Sequence, residues 1–299
     1  MEVITDILGS KNIIMDSINK HGHAPEHNFW YFYNLACRNE KCTYFRFEND
    51  CAIMAVSYKN SSSWMISEVL APDNDKLKIF EEFLAHALLK LKLKKVFVLV
   101  SSDFRKRIQK MAKGNYHLSS SRTYYSPVFN LKKFDENLPG KSWKKIRNIK
   151  NRFYRENKVD VVPSSDIKKS KLKDIVTQWN KNKKWRGRAE IEKYLNFIDN
   201  GFEGAKYART LVIDGKPSTI TAGWDVPNSS VYYSAIGMHN YKYKYLSEIA
   251  NLDDLIYLKK MRNYAVNLGT SDKSLLTFKK KFMPQSILKS HYFSIRRGN

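Results

Sequence analysis

The sequence predicts an α+β chain made of two similar halves, each a mixed, mainly antiparallel sheet flanked by helices. Three observations lead there. The chain has 299 residues, of which 42% are hydrophobic and 13% aromatic, enough to bury one large core or two ordinary ones. Short apolar, strand-like runs alternate with stretches of helical period. The order of these elements in residues 1–134 recurs in residues 135–299, with a join near 131–142.

In the first half, residues 28–35 (NFWYFYNL) form an aromatic run that suits a short helix packed inward. Residues 43–47 and 52–58 read as strands around the turn Glu48-Asn49-Asp50, and 64–70 as a strand stopped by Ala71-Pro72. Residues 76–92 place Leu77, Phe80, Leu84, Ala87, Leu88 and Leu91 on one helical face. A buried strand (95–100, KVFVLV), a basic helix (104–113) and a closing strand (123–131) follow.

In the second half, 159–163 is a short strand and 167–180 and 189–200 are helices. Residues 208–214, 218–225 and 230–238 form a meander with turns at Asp214-Gly215 and Pro227-Asn228. Residues 246–268 read as the longest helix, followed by Gly269-Thr270-Ser271-Asp272, a helix to 281 and a final strand at 291–295. Helix, antiparallel strands, long helix, strand, helix, strand is the element order of the acyltransferase fold of the GNAT type.

Charge narrows the function. Lys and Arg number 53 against 29 Asp and Glu, a net +24. Residues 1–130 carry only +5 of this and residues 131–299 the other +19. Such a field implies a polyanionic partner: RNA, DNA, anionic lipid or a phosphorylated substrate. A uniformly lysine-rich surface explains the total but not the asymmetry.

Other classes fall away. No run approaches the roughly 20 apolar residues of a membrane span. The start, MEVITDILGS, lacks the basic and apolar regions of a secretory signal. Cys37, Cys42 and Cys51 are odd in number and suggest a reducing cytoplasm rather than a disulfide framework. His21, His23 and His27 cluster without a recognised metal-ligand spacing, so no metal is expected. A Gly-x-Ser-x-Gly elbow is absent, and Gly140-Lys141-Ser142 lacks the upstream glycine of a phosphate loop.

Three stretches carry chemistry. Residues 141–158 hold eight basic side chains and one acidic, Glu156. Trp143, Ile146, Ile149 and Phe153 recur at helical spacing, leaving Lys144, Lys145, Arg147, Arg152 and Arg155, with Lys141 before them, as a phosphate-facing surface. The octapeptide from Lys181 to Arg188 adds Lys184, Trp185, Arg186 and Arg188, which suit stacking on unpaired bases or a loop anchored by Trp185. At 269–272, Ser271 or Asp272 can cap the next helix, or the same helix start can face an anion. The glycine-rich pyrophosphate loop of acyl-CoA enzymes is replaced after the meander by Gly237-Met-His-Asn-Tyr-Lys-Tyr-Lys-Tyr-Leu-Ser247, which argues against coenzyme A.

Gly140-Lys141 with Arg147-Asn148 and Arg152-Phe153 resembles a pattern of the phosphatidylglycerol lysyltransferase C-terminal-domain family, including its stand-alone members. Gly269 with Ser271-Asp272, Phe278-Lys279 and Phe282-Met-Pro284 is similar to a second signature of that family, which is related to Fem-type transferases. The resemblance implies a tandem GNAT-like fold that takes an amino acid from aminoacyl-tRNA. It also implies that Lys279 contacts a substrate phosphate, while Lys280 and Lys281 face solvent.

The expected reaction moves an aminoacyl group from aminoacyl-tRNA to an amine or hydroxyl acceptor, with no resident cofactor. It needs aligned substrates and donors for an oxyanion, for which the edge of strand 230–238 or a nearby Lys is the natural source. Asp272 and Tyr233 are the candidate catalytic groups. Trp224, Tyr232, Thr270, Ser271 and Lys279 are candidate substrate contacts, with Trp224, Tyr232 and Tyr233 equally suited to the core. Two alternatives stand beside it: an acyl-CoA-dependent N-acyltransferase, and a non-catalytic RNA- or anionic-lipid-binding protein on the same fold. The expected location is the cytoplasm, with a peripheral place at the inner membrane surface if the acceptor is lipid.

Overall fold

A computed structural model describes residues 1–36, 40–58, 62–182, 191–261 and 264–298. The first half runs β1 (Glu2–Ile4), α1 (Lys11–His21), α2 (Phe29–Asn34), β2 (Glu40–Arg46), β3 (Ala52–Tyr58), β4 (Ser63–Ile66), α3 (Lys76–Ala85), β5 (Lys95–Ser101), α4 (Ser102–Met111), β6 (Tyr116–Leu118) and β7 (Arg122–Asn130). A linking helix, α5 (Lys144–Glu156), precedes the second half: β8 (Val159–Pro163), α6 (Lys169–Lys181), α7 (Glu192–Asp199), β9 (Tyr207–Ile213), β10 (Lys216–Pro217), β11 (Thr219–Asp225), β12 (Val231–His239), α8 (Leu246–Lys260), β13 (Ala265–Asn267), α9 (Lys273–Lys279) and β14 (Ser286–Arg297).

The recurrence of element order is real, but the halves are not laid side by side. All strands join one sheet, in the order β1-β2-β3-β4-β5-β14-β7-β13-β12-β11-β9-β10, with β6 on β14 and β8 on β9. The two closing strands have changed places. β14 pairs with β5 (Tyr292↔Leu99), so Phe293 and Ile295 fill the core built by Val96, Val98, Phe80 and Phe83. β7 pairs with β13 (Phe129↔Val266), so Phe129 and Leu131 pack with Tyr232, Leu255 and Phe282. β7 and β14 lie antiparallel at the centre (Ser290↔Tyr124). Each half therefore buries a strand from the other.

The helix read over 246–268 stops at Lys260, and β13 is the element that reading missed. Three residues whose side chains are all small or apolar until Asn267 continue a helical pattern as well as they make a strand. Only the parallel neighbour β12 (Tyr232↔Val266) and the antiparallel neighbour β7 decide it.

Helix α5 forms as its period dictates. Ile146, Ile149 and Phe153 are buried, and the last two pack on Leu211, Ile213, Leu246 and Ile249. That contact fixes α5 beside the N-terminus of α8. The segment between α1 and α2 is equally well anchored. Trp224 Nε1 donates to the Pro25 carbonyl at 2.8 Å, Asn28 Nδ2 donates to the Gly204 carbonyl at 3.1 Å, and Asn228 Nδ2 donates to the Gly22 carbonyl at 2.9 Å. First-half backbone thus lies against the second-half meander.

Candidate active site

The site begins where two strands part. β12 and β13 pair in parallel from Val231↔Ala265 to Tyr233↔Asn267 and no further. Beyond that, β12 continues to His239, while the chain after Asn267 swings to β7, where Ser271 exchanges backbone bonds with Tyr125 at 2.8 and 2.9 Å. On its other edge β12 slips register against β11: Ala222 faces Ile236 but Gly223 faces Ser234, leaving Ala235 as a bulge. A bulge re-aims backbone groups and ends regular pairing. Two glycines permit the geometry. A Cβ on Gly223 would stand 2.0 Å from the Tyr233 carbonyl oxygen, and Gly269, at φ +79°, carries the departing chain past Ser234.

Lys279 closes the floor of this gap. Its Nζ donates to the carbonyls of Leu268 and of Gly269, the latter at 3.0 Å, and the side chain is buried. Burial pulls its ammonium down to about 8. A Cβ built on Gly269 would lie 3.8 Å from both Lys279 Nζ and Tyr233 Oη, so the amine and the phenol converge on one glycine. The Tyr233 hydroxyl bonds Thr270, and burial followed by the charge of Glu26 pushes its ionisation well above the usual phenol range. Tyr233 is therefore held as a neutral, hydrogen-bonding phenol.

An aromatic cluster lies on the same face as Tyr233. Trp224 is its hub, with ring centroids 5.4 Å from Tyr31, 5.5 Å from Tyr233 and 6.1 Å from Phe197. Tyr31, Tyr194 and Tyr233 pack against it half-buried, and Glu26 nearby is half-buried too. Burial, then the neighbouring Glu68, pushes the Glu26 carboxyl up to about 7. Lys193, with its Nζ 5.0 Å above the Tyr194 ring, completes the charged groups there.

Behind β12, Ser234 Oγ donates to Asp254 Oδ2 at 3.2 Å, and Arg209 pairs with Asp253 at 2.8 Å while lying 3.8 Å over the Tyr257 ring. Burial raises the Asp254 carboxyl to about 6, against the pull of Arg209.

The basic surface predicted around α5 forms a cleft of about 520 Å³ lined by Lys141, Ser142, Lys144, Lys145, Asn148, Ile149, Arg152 and Tyr245. Lys141, Lys144, Lys145 and Arg155 are exposed. Arg152 is exposed too but pairs with Glu156 at 2.8 Å. Arg147 turns inward, where its Nη1 bonds the Leu138 carbonyl and the Gly140 carbonyl, the latter at 3.2 Å, and ties down the linker. Next to the cleft α8 starts on Tyr245, and Glu248 in its first turn is buried, accepting from Ser247 Oγ at 2.9 Å and Lys281 Nζ at 2.8 Å. Lys281 is thus half-buried and paired, whereas Lys280 faces solvent as expected.

The other sequence candidates divide. Asp272 caps α9: its Oδ1 accepts from Leu275 N at 2.9 Å and from Ser274 Oγ at 2.8 Å, and these bonds hold its carboxyl below the usual range. Its side chain is spent on the helix, and Ser271 is spent on the bridge to β7. Trp224 and Tyr232 are both buried, Trp224 within the aromatic cluster and Tyr232 facing α8 with Tyr207. Lys279 meets carbonyl oxygens, not an open surface. Lys184, Trp185, Arg186 and Arg188 lie outside the described residues.

The parted strands, the bulge and the exchanged closing strands define a tandem fold of the GNAT type. The chain belongs to the family described as phosphatidylglycerol lysyltransferase, C-terminal, whose model matches residues 26–234. Among solved structures, a conserved protein of unknown function from Bacteroides thetaiotaomicron is similar at TM-score 0.74 and 12% identity, covering 99% of this chain and 100% of that one. L-PGS from Bacillus licheniformis is similar at TM-score 0.70 and 16% identity, covering 99% and 93%. A tandem GNAT protein from the clavulanic acid biosynthesis pathway is similar at TM-score 0.59 and 10% identity, covering 100% and 99%. No curated protein matches the sequence. Among the described residues no helix is long and apolar enough to cross a membrane.

Proposed function

We propose that the chain is an aminoacyltransferase that moves an amino acid from aminoacyl-tRNA to an amine or hydroxyl acceptor at the parted edge of β12. The observation that carries this reading is the gap between β12 and β13 with Lys279 and Tyr233 converging on Gly269. In this reading a carbonyl lies against the β12 edge beyond Tyr233, where pairing with β13 has ended, and meets strand N–H groups with the Lys279 ammonium behind Gly269, the donors an oxyanion needs. The ester is already activated, so alignment and charge stabilisation suffice. The cleft lined by α5 is the phosphate-binding surface for tRNA. In this reading residues 135–299 carry the transfer machinery and residues 1–134 buttress it through the loop bonded to Trp224 and Gly204.

Coenzyme A fits less well. The first turn of α8, where a pyrophosphate would seat on free backbone N–H groups, already holds the buried carboxylate of Glu248. The test is transfer of labelled amino acid from charged total tRNA to vesicles of phosphatidylglycerol or phosphatidylethanolamine and to soluble amines, with acetyl-CoA in parallel. tRNA-dependent labelling of any acceptor supports the reading. Acetyl transfer with no use of tRNA overturns it.

A further inference from the structure

We propose that the uncovered face of the central strands β5, β14 and β7 is a stacking platform for the unpaired 3′ end of the charged tRNA. This rests on the aminoacyl-transfer reading and adds to it the surface that holds the bases.

Strand register defines the face. Residues paired across strands share one side of a sheet, and alternate residues along a strand return to it. Tyr292 pairs with Leu99 and with Arg122, Phe97 with Ser294, and Tyr124 with Ser290. All of these point to one side, away from Val96, Val98, Phe293 and Ile295, which fill the core under α3 and α4. Toward both ends of the sheet this side is covered. Val56, in register with Met65 and through it with Phe97, packs under α1 and α2. Tyr233, in register with Asn267 and through it with Val128, packs with α6 and α7. Between these helix pairs the strands are open. Phe97, Leu99, Tyr124 and Tyr292 are partly exposed and, among the described residues, join none of the hydrophobic cores. Met65 and Leu288 beside them are exposed.

What stands on the open strip is a row of flat rings and cations. The rings of Phe97 and Tyr292 lie parallel within 3°, with centroids 5.5 Å apart. Lys95 Nζ is 4.8 Å from the centre of the Phe97 ring, and the Arg122 guanidinium is 5.0 Å from that of Tyr124. Lys95 and Arg122 are exposed, and among the described residues neither forms an ion pair. Asp272, which feels the charge of Arg122, is already committed to the cap of α9. Rings of this kind stack on unpaired bases of any sequence, and the cations beside them meet the phosphates. A strip set between two pairs of helices admits a strand more readily than a bilayer surface.

The platform also leads to the gap between β12 and β13. Tyr124 lies four residues along β7 from Val128, which pairs with Asn267, which in turn pairs with Tyr233. At ordinary strand spacings that is about 13 Å along the sheet and about 10 Å across it. The ester on the terminal ribose can therefore lie in the gap while the bases before it rest on the rings.

The test follows fluorescence polarisation of a labelled single-stranded RNA ending in CCA, with the same strand annealed to its complement as the duplex control. Tyr124→Leu and Tyr292→Leu should each weaken single-strand binding about tenfold or more, while Tyr124→Phe and Tyr292→Phe should keep it. Binding of the duplex should not respond to the leucine changes. In transfer from charged tRNA the leucine variants should raise KM more than they lower kcat. Single-strand binding unchanged in both leucine variants overturns the proposal. So does ring-dependent binding of phosphatidylglycerol vesicles with RNA binding unaltered. Transfer from charged tRNA at unchanged KM in both leucine variants removes the platform and spares the transferase. Ring-dependent binding of the single strand with no transfer from any charged tRNA keeps the platform and removes the transferase.

Discussion

The indole N–H of Trp224 donates to the carbonyl of Pro25, 199 residues earlier, at 2.8 Å. One bond fixes a first-half loop on the second-half meander, and Trp224 stacks its ring between Tyr31 and Phe197 while making it. Trp224→Phe keeps most of the packing and orphans a carbonyl, so it should cost about 1 kcal/mol. Trp224→Ala should cost roughly 3–5 kcal/mol. Urea unfolding midpoints measure both, and a Phe variant as stable as the parent would show the bond to be idle.

Acid should loosen the same loop. His27 is fully buried, and burial followed by the nearby His23 pulls its ionisation down to about 3. The unfolded chain binds that proton near pH 6.5, so the unfolded state gains protons first and stability falls as pH drops from about 6.5 toward 3. Glu26 works in the opposite direction between pH 7 and the ordinary carboxylate range. Between about pH 6.5 and 5 the two nearly cancel, so the parent should be almost flat there, whereas His27→Gln should gain stability as the pH falls from 7 to 5. A slope unchanged by that substitution counts against a neutral, buried His27.

Charge reversal in the cleft should act on tRNA without touching the fold. Lys144 and Lys145 are exposed, so Lys144→Glu with Lys145→Glu should shift stability by no more than about 0.5 kcal/mol each. If both meet phosphates, the slope of log K against log[salt] should fall by roughly 1 per lysine. Filter binding at graded salt reads this directly. Loss of affinity with an unchanged slope would place tRNA elsewhere.

Lys279 should matter most for rate. Lys279→Met removes a cation from the strand gap, and transfer should drop on the order of 10²–10³-fold, the scale of losing one oxyanion donor. Because the ammonium is lost above about pH 8, the parent rate should fall on the alkaline side of that value. The variant should have no such limb. A Lys279→Met chain of undiminished rate would exclude the role.

The exchanged strands predict one unfolding transition. Phe293→Ala and Phe129→Ala lie in different cores but on neighbouring central strands. Each should cost roughly 3–5 kcal/mol. Hydrogen exchange should show β5 and β13 weakened together by either change, and protection lost on one side alone would contradict the coupling.

Much of this was legible in the residues. Apolar periodicity placed α3, α5 and the meander, because each buries one regular face against its own neighbours. Strand partnership was not legible: the exchange of β7 and β14 depends on pairing across the whole chain, and both strands have the same alternating pattern. The site was partly legible. Thr270 and Lys279 are close to Gly269 along the chain, and the parallel pairing of β12 with β13 brings Tyr233 to them. Asp272 reads alike as a helix cap and as a reacting carboxylate, and only its bonds to Leu275 and Ser274 show the capping.

Ser102 Oγ, at the start of α4 just past β5, lies 3.0 Å from the ring of His291, 189 residues later, where β14 fills its place in the sheet. At a synthesis rate of about 5–20 residues per second, β5 waits roughly ten to forty seconds on the ribosome as an open apolar edge. Such an edge invites other chains. The nascent protein thus has a vulnerable interval that ends only when its last strand emerges, and demand for chaperones should track the speed of translation across the second half.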